Sequence, residues 1–184
     1  MAPTMPAMEL DDEVPMPEDS LGGRLAVWVA SGLGIGLVTP APGTIGGLWG
    51  LALVPVTANL SPIGAELGVI LLLVILAAMI CGAAARELGA GGDPGAIVLD
   101  EIVALPVVFV GIPAINWRLL AAGFLLFRLF DISKIGLAGP AERLPGGAGI
   151  VADDVVAAMQ ACLALHVVVW LDRVTGLHWL LAVG

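Results

Sequence analysis

The chain has 184 residues, of which 59% are apolar and only 12% are charged, whereas about a quarter of the residues in an ordinary soluble domain are charged. Because these few charged residues cannot cover the surface of a soluble protein, the composition excludes a typical water-soluble domain. It favours a fold whose apolar residues face lipid. Six of the sixteen acidic residues lie in the first twenty positions, so the net charge of −9 belongs largely to one tail, and no nucleic-acid partner is expected.

The amino-terminal part of the sequence divides into a tail and two short apolar segments. Residues 1–20 are rich in Pro, Met, Asp and Glu and have no apolar periodicity, which predicts a disordered acidic tail. Residues 21–184 are expected to form one helical domain. No charged residue occurs in 25–65, but Gly, Pro and Thr interrupt this stretch at 39–43. We therefore predict two short apolar segments with a loop between them.

Longer apolar runs follow in the rest of the chain. Residues 67–85 carry no charge and approach the roughly 20 residues that one membrane crossing requires. Residues 102–117 and 119–127 are shorter and are separated by Arg118, which predicts a helical hairpin. Residues 155–171 predict a further crossing. The expected fold class is all-α, a multi-span helical integral membrane protein with short and re-entrant apolar helices.

These predicted helices bring the acidic residues to one side of the membrane. Asp100 and Glu101 begin the first arm of the hairpin and Asp131 ends its returning arm, so all three emerge on the same side. Asp153 and Asp154 open the next crossing from that side. The basic residues expected on this face are Arg86, Arg128, Lys134 and Arg143. Because Lys and Arg are enriched in cytoplasmic loops, this face is predicted to be cytoplasmic.

Carboxylates beside apolar helices need partners, because burial of an unpaired charge costs several kcal/mol. The acid pairs at 100–101 and 153–154 also fit a capping role, since the helix dipole favours an anion in a first turn. Asp131 ends a helix, where the dipole disfavours an anion, so a cation should hold it there. Arg128 and Lys134 lie at salt-bridge spacing from Asp131. A divalent cation would serve several carboxylates at once, and Mg²⁺ prefers such oxygen ligands.

Groups suited to phosphate accompany the acids. Gly43 and Thr44 precede an apolar helix, where backbone N–H groups and a hydroxyl favour an anion. Arg128 has a planar guanidinium that matches phosphate oxygens, and Lys134 supplies a point charge. The glycine-rich residues 146–152 also lead to a predicted helix start that carries acids. Acids for a metal and bases for a phosphate on one face indicate metal-assisted phosphoryl hydrolysis.

At these residues the chain resembles the phosphatidylglycerophosphatase A family of bacterial membrane enzymes. The resemblance consists of four blocks in family order: GIGL at 34–37 with PAPGTIG at 40–46, IVLDE at 97–101, FRLFD at 127–131 with Lys134, and GAGIVADD at 147–154. It implies a Mg²⁺-dependent enzyme at the inner face of the bacterial cytoplasmic membrane. Such an enzyme dephosphorylates phosphatidylglycerophosphate in the bilayer to phosphatidylglycerol and inorganic phosphate. We expect a water activated by a carboxylate to attack phosphorus, and a route through a phospho-carboxylate intermediate is the open alternative.

The residue patterns and the resemblance together assign expected roles to individual residues. The expected catalytic residues are Asp100, Glu101, Asp131 and Asp154. The expected metal ligands are Glu101, Asp131, Asp153 and Asp154. The expected phosphate contacts are Gly43, Thr44, Arg128 and Lys134. Two positions depart from the family pattern, because Ala104 stands where Gly is usual and Lys134 is followed by Ile-Gly-Leu instead of Pro-Trp-Pro.

Two other functions remain open from the residues alone. In a membrane transporter or proton-relay protein, the same carboxylates would line a permeation path. That function predicts acids spread through the depth of the membrane, whereas this sequence places them at helix ends. A non-catalytic assembly subunit would bind Mg²⁺ without hydrolysing a lipid phosphate.

Overall fold

The computed structural model describes residues 21–89, 94–112, 114–134, 138–141, 143–176 and 178–181. Every regular element in these residues is a helix, and they contain no β-strand, which confirms the all-α prediction. The predicted acidic tail, residues 1–20, lies outside the described residues.

Short helices dominate the beginning of the described chain. In order, the helices there are α1 (Leu21–Ala30), α2 (Ile35–Val38), α3 (Pro42–Gly50), α4 (Val54–Ala58) and α5 (Ile63–Glu87). The loop predicted at 39–43 is shorter than expected, because α3 begins at Pro42 with the proline in its first turn. Proline is favoured there because its missing N–H would have no partner in the helix.

The second part of the chain alternates short and long helices. In order, these are α6 (Leu99–Ala104), a 3-10 helix (Leu105–Phe109), α7 (Trp117–Ser133), α8 (Ala138–Ala141) and α9 (Gly147–Val174). The first arm of the predicted hairpin is thus shorter than the sequence indicated. Pro106 lies at the start of the 3-10 helix, where its ring and missing N–H disfavour continuation of α6. The Asn116 side chain then caps α7 by accepting hydrogen bonds from two backbone N–H groups.

Two helices, α5 and α9, are long and apolar enough to cross a membrane. Their 25 and 28 residues rise about 38 and 42 Å, more than the roughly 30 Å of hydrocarbon in a bilayer. In an apolar 18-residue stretch of each helix, only 28% and 33% respectively is buried inside the protein. The core helix of a soluble protein is mostly buried. Their exposed leucines and valines therefore indicate a membrane protein.

The start of α9 corrects the prediction that Asp153 and Asp154 open a crossing. The helix begins six residues earlier, at Gly147, so both acids lie in its second turn. Gly147 packs directly against α5, where a Cβ would overlap the carbonyl oxygen of Ala78 and lie 2.5 Å from the backbone nitrogen of Gly82. The glycines let the two backbones meet, so a stretch that reads as a loop becomes helical.

Helices α7 and α9 pack against each other, and they run in opposite directions because the end of α7 lies beside the start of α9. The segment 178–181, which follows α9, connects their far ends. The backbone N–H groups of Trp179 and Leu180 donate to the buried carboxylate of Asp172 at 2.9 and 3.1 Å. Arg118 lies over the ring of Trp179 and donates to its carbonyl oxygen. The other ends of α7 and α9 carry Asp131 and the acid pair at 153–154.

Candidate functional site

Helix α6 supplies the first acid pair. Asp100 and Glu101 lie in its first turn, where the helix dipole favours carboxylates. Asp100 is buried, and its Oδ1 accepts a hydrogen bond from the backbone N–H of Glu101 at 3.0 Å. Asp100 thus bonds to the backbone of its own first turn without capping α6, whereas the carboxylate of Glu101 contacts Arg128 of another helix.

The amino-terminal turn of α3 lies against Glu101. A Cβ at Gly43 would overlap Oε1 of Glu101 and lie 3.0 Å from its Cδ, and a Cβ at Gly46 would lie 3.1 Å from Oε2. These glycines therefore allow α3 to approach the carboxylate closely. Thr44, in the same turn, is exposed. The sequence left two roles open for the glycines of this stretch, phosphate binding and tight helix packing, and the contacts of Gly43 and Gly46 with Glu101 show the packing role.

Helix α7 contributes the basic residues. Nη1 of Arg128 donates to Oε1 of Glu101 at 2.9 Å and to Oδ2 of Asp131 at 2.8 Å, so one guanidinium joins α6 to α7. Lys134 ends α7 in the left-handed conformation, with φ of 49°. Its Nζ contacts Oδ2 of Asp153 and lies 3.9 Å from Oδ1 of Asp131. Arg128 and Lys134 therefore both supply the positive charge that Asp131 requires at the end of a helix.

Helix α9 completes an acidic triad, which we define as Asp131, Asp153 and Asp154. Each residue is buried and offers one carboxylate oxygen, and these three oxygens lie within 4.8 Å of one another. Asp154 also interacts electrostatically with Asp100 and Glu101. The chain thus brings together acids from α6, α7 and α9 that are far apart in sequence.

Burial and like charges shape the electrostatics around the triad. Burial raises the pKa of Glu101 to about 7, and Arg128 opposes part of this effect. Burial alone lowers the pKa of Lys134, but its hydrogen bond to Asp153 and the neighbouring carboxylate charges outweigh it and raise that pKa above its usual value. The acids outnumber the two basic groups that contact them, so the cluster attracts a further cation.

The donor atoms fit a hard divalent cation. All of the triad's available ligand atoms are carboxylate oxygens, the type that Mg²⁺ binds in proteins. Oε2 of Glu101 is also buried, and no described donor meets hydrogen-bond geometry with it, although the backbone N–H of Gly47 lies near enough to this carboxyl group to lower its pKa. A buried carboxylate oxygen without a donor is costly, and a cation beside it would remove that cost. The residues present therefore fit the metal expected from the sequence.

Comparison with known proteins agrees with the four sequence blocks. The family model described as Phosphatidylglycerophosphatase A matches residues 28–169, a range that includes α3, α6, α7 and the acid-bearing part of α9. The chain belongs to the phosphatidylglycerophosphatase A family. No solved structure matches it.

Three similar proteins have informative names. The Haemophilus influenzae protein named Phosphatidylglycerophosphatase A is 36% identical over 76% of this chain and 86% of its own length. The Escherichia coli K12 protein of the same name is 30% identical over 84% of this chain and 86% of its own. A Bacteroides thetaiotaomicron protein is 33% identical over 79% of this chain and 94% of its own, and is named Putative phosphatidylinositol-3-phosphatase.

Proposed function

We propose that the protein hydrolyses phosphatidylglycerophosphate to phosphatidylglycerol and inorganic phosphate, with water as the nucleophile and Mg²⁺ as the metal. The observation that carries the proposal is the buried triad beside Arg128 in a chain of the phosphatidylglycerophosphatase A family. Clustering of the acids at one end of α7 and α9 also disfavours the transporter alternative, which needs acids spread along the helices.

The proposed ligands are Glu101 and the triad Asp131, Asp153 and Asp154. Bound there, Mg²⁺ would neutralise phosphate charge and make a bound water more acidic. Arg128 already contacts two of these carboxylates through Nη1 and so holds them in place, and its other N–H groups are the proposed donors to the substrate phosphate. Arg128 thus positions both the acids and the substrate.

The remaining residues bind the phosphate and move protons. The backbone N–H groups at Gly43 and Thr44, together with the threonine hydroxyl, are the proposed phosphate donors at the start of α3, and Lys134 adds a positive charge. Asp100 and Asp154 are the proposed bases for water. As the water oxygen bonds to phosphorus, the bond from phosphorus to the glycerol oxygen breaks, and that oxygen leaves with the electron pair and takes a proton.

We propose a multi-pass topology in the bacterial cytoplasmic membrane with the site at the cytoplasmic face. The two long apolar helices α5 and α9 support membrane insertion. The orientation is supported by the distribution of basic residues, because Arg86, Lys134 and Arg143 lie towards the site, whereas Arg118 and Arg173 lie towards the far ends of α7 and α9. An excess of positive charge marks the cytoplasmic side.

The experiment that tests the function is a phosphate-release assay on the purified protein in detergent, with and without EDTA. The substrates are phosphatidylglycerophosphate, phosphatidylinositol-3-phosphate and phosphatidic acid, because one relative's name indicates a different headgroup. We expect release from phosphatidylglycerophosphate in Mg²⁺ and none after chelation. Undiminished release in EDTA would remove the metal from the mechanism, and preference for another lipid would replace the substrate.

Replacement of Arg128 by Ala is expected to lower kcat/KM by about a hundredfold, as loss of a preorganised donor to a transition-state oxygen does. It also leaves Glu101 and Asp131 without the guanidinium that joins them. Arg128→Lys retains the charge but not the fork, so we expect partial activity. Arg143→Ala is the matched control because Arg143 is exposed on the same side. Equal kinetics for Arg128→Ala and the control would contradict the assigned role.

A further inference from the structure

Lys134 is the only lysine of the chain, and its position is unusual. It ends α7 with a left-handed backbone conformation, and its amino group contacts Asp153 from α9 while lying 3.9 Å from Asp131 of its own helix. The ammonium therefore lies between two helices that carry the triad.

The contact creates a conflict with metal binding. Asp131 and Asp153 are two of the three triad residues whose oxygens approach within 4.8 Å, so the ammonium and a divalent cation would use the same carboxylates. Two cations so close together repel, and an oxygen that accepts a hydrogen bond from Nζ is less available as a ligand. The ammonium and a metal ion would therefore compete for the carboxylate oxygens of Asp131 and Asp153.

We propose that Lys134 is the built-in counter-ion of the metal-free site, which a divalent cation displaces so that the amino group becomes available to the substrate phosphate. The inference rests on the proposed function, and it makes Lys134 a residue with two successive partners. Its ammonium first holds α7 and α9 together through the triad. Metal binding then transfers that task to the metal and frees the lysine.

Differences between the two basic residues support this exchange. The Arg128 side chain is 18% exposed and contacts carboxylates on two helices through one nitrogen, so its guanidinium is fixed. The Lys134 side chain is 39% exposed and has a flexible four-carbon stem that ends in a point charge. Lys134 therefore has the space and the flexibility to change partners, while Arg128 does not.

Metal titration without substrate provides the first test. Mn²⁺ binding to the purified chain is measured by electron paramagnetic resonance for wild type, Lys134→Met and Arg143→Met. We expect Lys134→Met to bind Mn²⁺ about tenfold more tightly, because a competing cation is removed. Arg143→Met removes a charge from the same side without an ion pair to any described carboxylate, and should stay within about twofold. Unchanged or weaker Mn²⁺ binding by Lys134→Met would overturn the inference.

A second measurement needs no substitution at Lys134. Acylation of the single lysine side chain is followed by mass spectrometry in wild type, with and without Mg²⁺, since an ammonium held between carboxylates reacts slowly. We expect Mg²⁺ to accelerate the reaction severalfold in wild type but not in Asp154→Asn, which lacks one triad oxygen. Equal rates with and without Mg²⁺ in wild type would refute the exchange. If the rates differ while no lipid phosphate is hydrolysed, the proposed function fails and the exchange stands.

Discussion

Replacement of either Asp131 or Asp153 by Asn is expected to lower phosphate release on the order of a thousandfold, a loss typical of removing a group that stabilises transition-state charge. The amide keeps the shape of the side chain but loses the negative charge and one ligand oxygen. Because the two residues come from α7 and α9, similar losses in both variants would require a site shared between these helices. The measurement is turnover in Mg²⁺ together with Mn²⁺ affinity.

Asp172→Asn provides the matched control for both substitutions. Asp172 is also buried and is in α9, but it lies at the other end of the helix and binds the backbone of residues 179–180. The same chemical change there should lower the melting temperature while turnover per folded molecule remains near wild type. Wild-type turnover in Asp131→Asn or Asp153→Asn would remove the proposed metal site. A loss in all three variants would point to folding rather than chemistry.

The sequence predicts the gathering of the acids because it depends on helix ends. Asp100, Glu101 and Asp131 lie at the ends of successive apolar runs, so the order of the runs places them on one side even though the first arm is shorter than predicted. The salt-bridge spacing of Arg128 and Asp131 is equally local, and the structure contains that ion pair. Such features follow from periodicity and charge along a single segment, so they are readable before any tertiary contact is known.

Contacts between segments are much less predictable. Nothing local indicates that Gly43 lies against Glu101, or that the amino group of Lys134 contacts Asp153. The glycines at 146–149 resemble a loop because glycine has low helix propensity, but packing of Gly147 on α5 makes the segment helical. At these positions tertiary packing outweighs the low helix propensity of glycine. Residues that the sequence indicates as a loop therefore form the start of α9.

Gly147→Ala is expected to abolish most activity because the contact it disrupts sets the position of α9. The added Cβ would overlap the carbonyl oxygen of Ala78 and meet the backbone nitrogen of Gly82 at 2.5 Å. Both obstacles are backbone atoms of α5, so neither can rotate away, and overpacking of this kind costs about 1–3 kcal/mol. The relief available to the protein is to move the start of α9, which carries Asp153 and Asp154 in the next turn.

Gly68→Ala separates this effect from the general consequences of adding a methyl group to a membrane helix. Gly68 lies within α5, and a Cβ there would meet no atom within 4 Å. Its replacement should leave the melting temperature unchanged or raise it, since Ala favours a helix over Gly by about 1 kcal/mol. Gly147→Ala should lower the melting temperature, Mn²⁺ affinity and phosphate release together. If Gly147→Ala retained wild-type Mn²⁺ affinity, the triad would not depend on the close contact between α5 and α9.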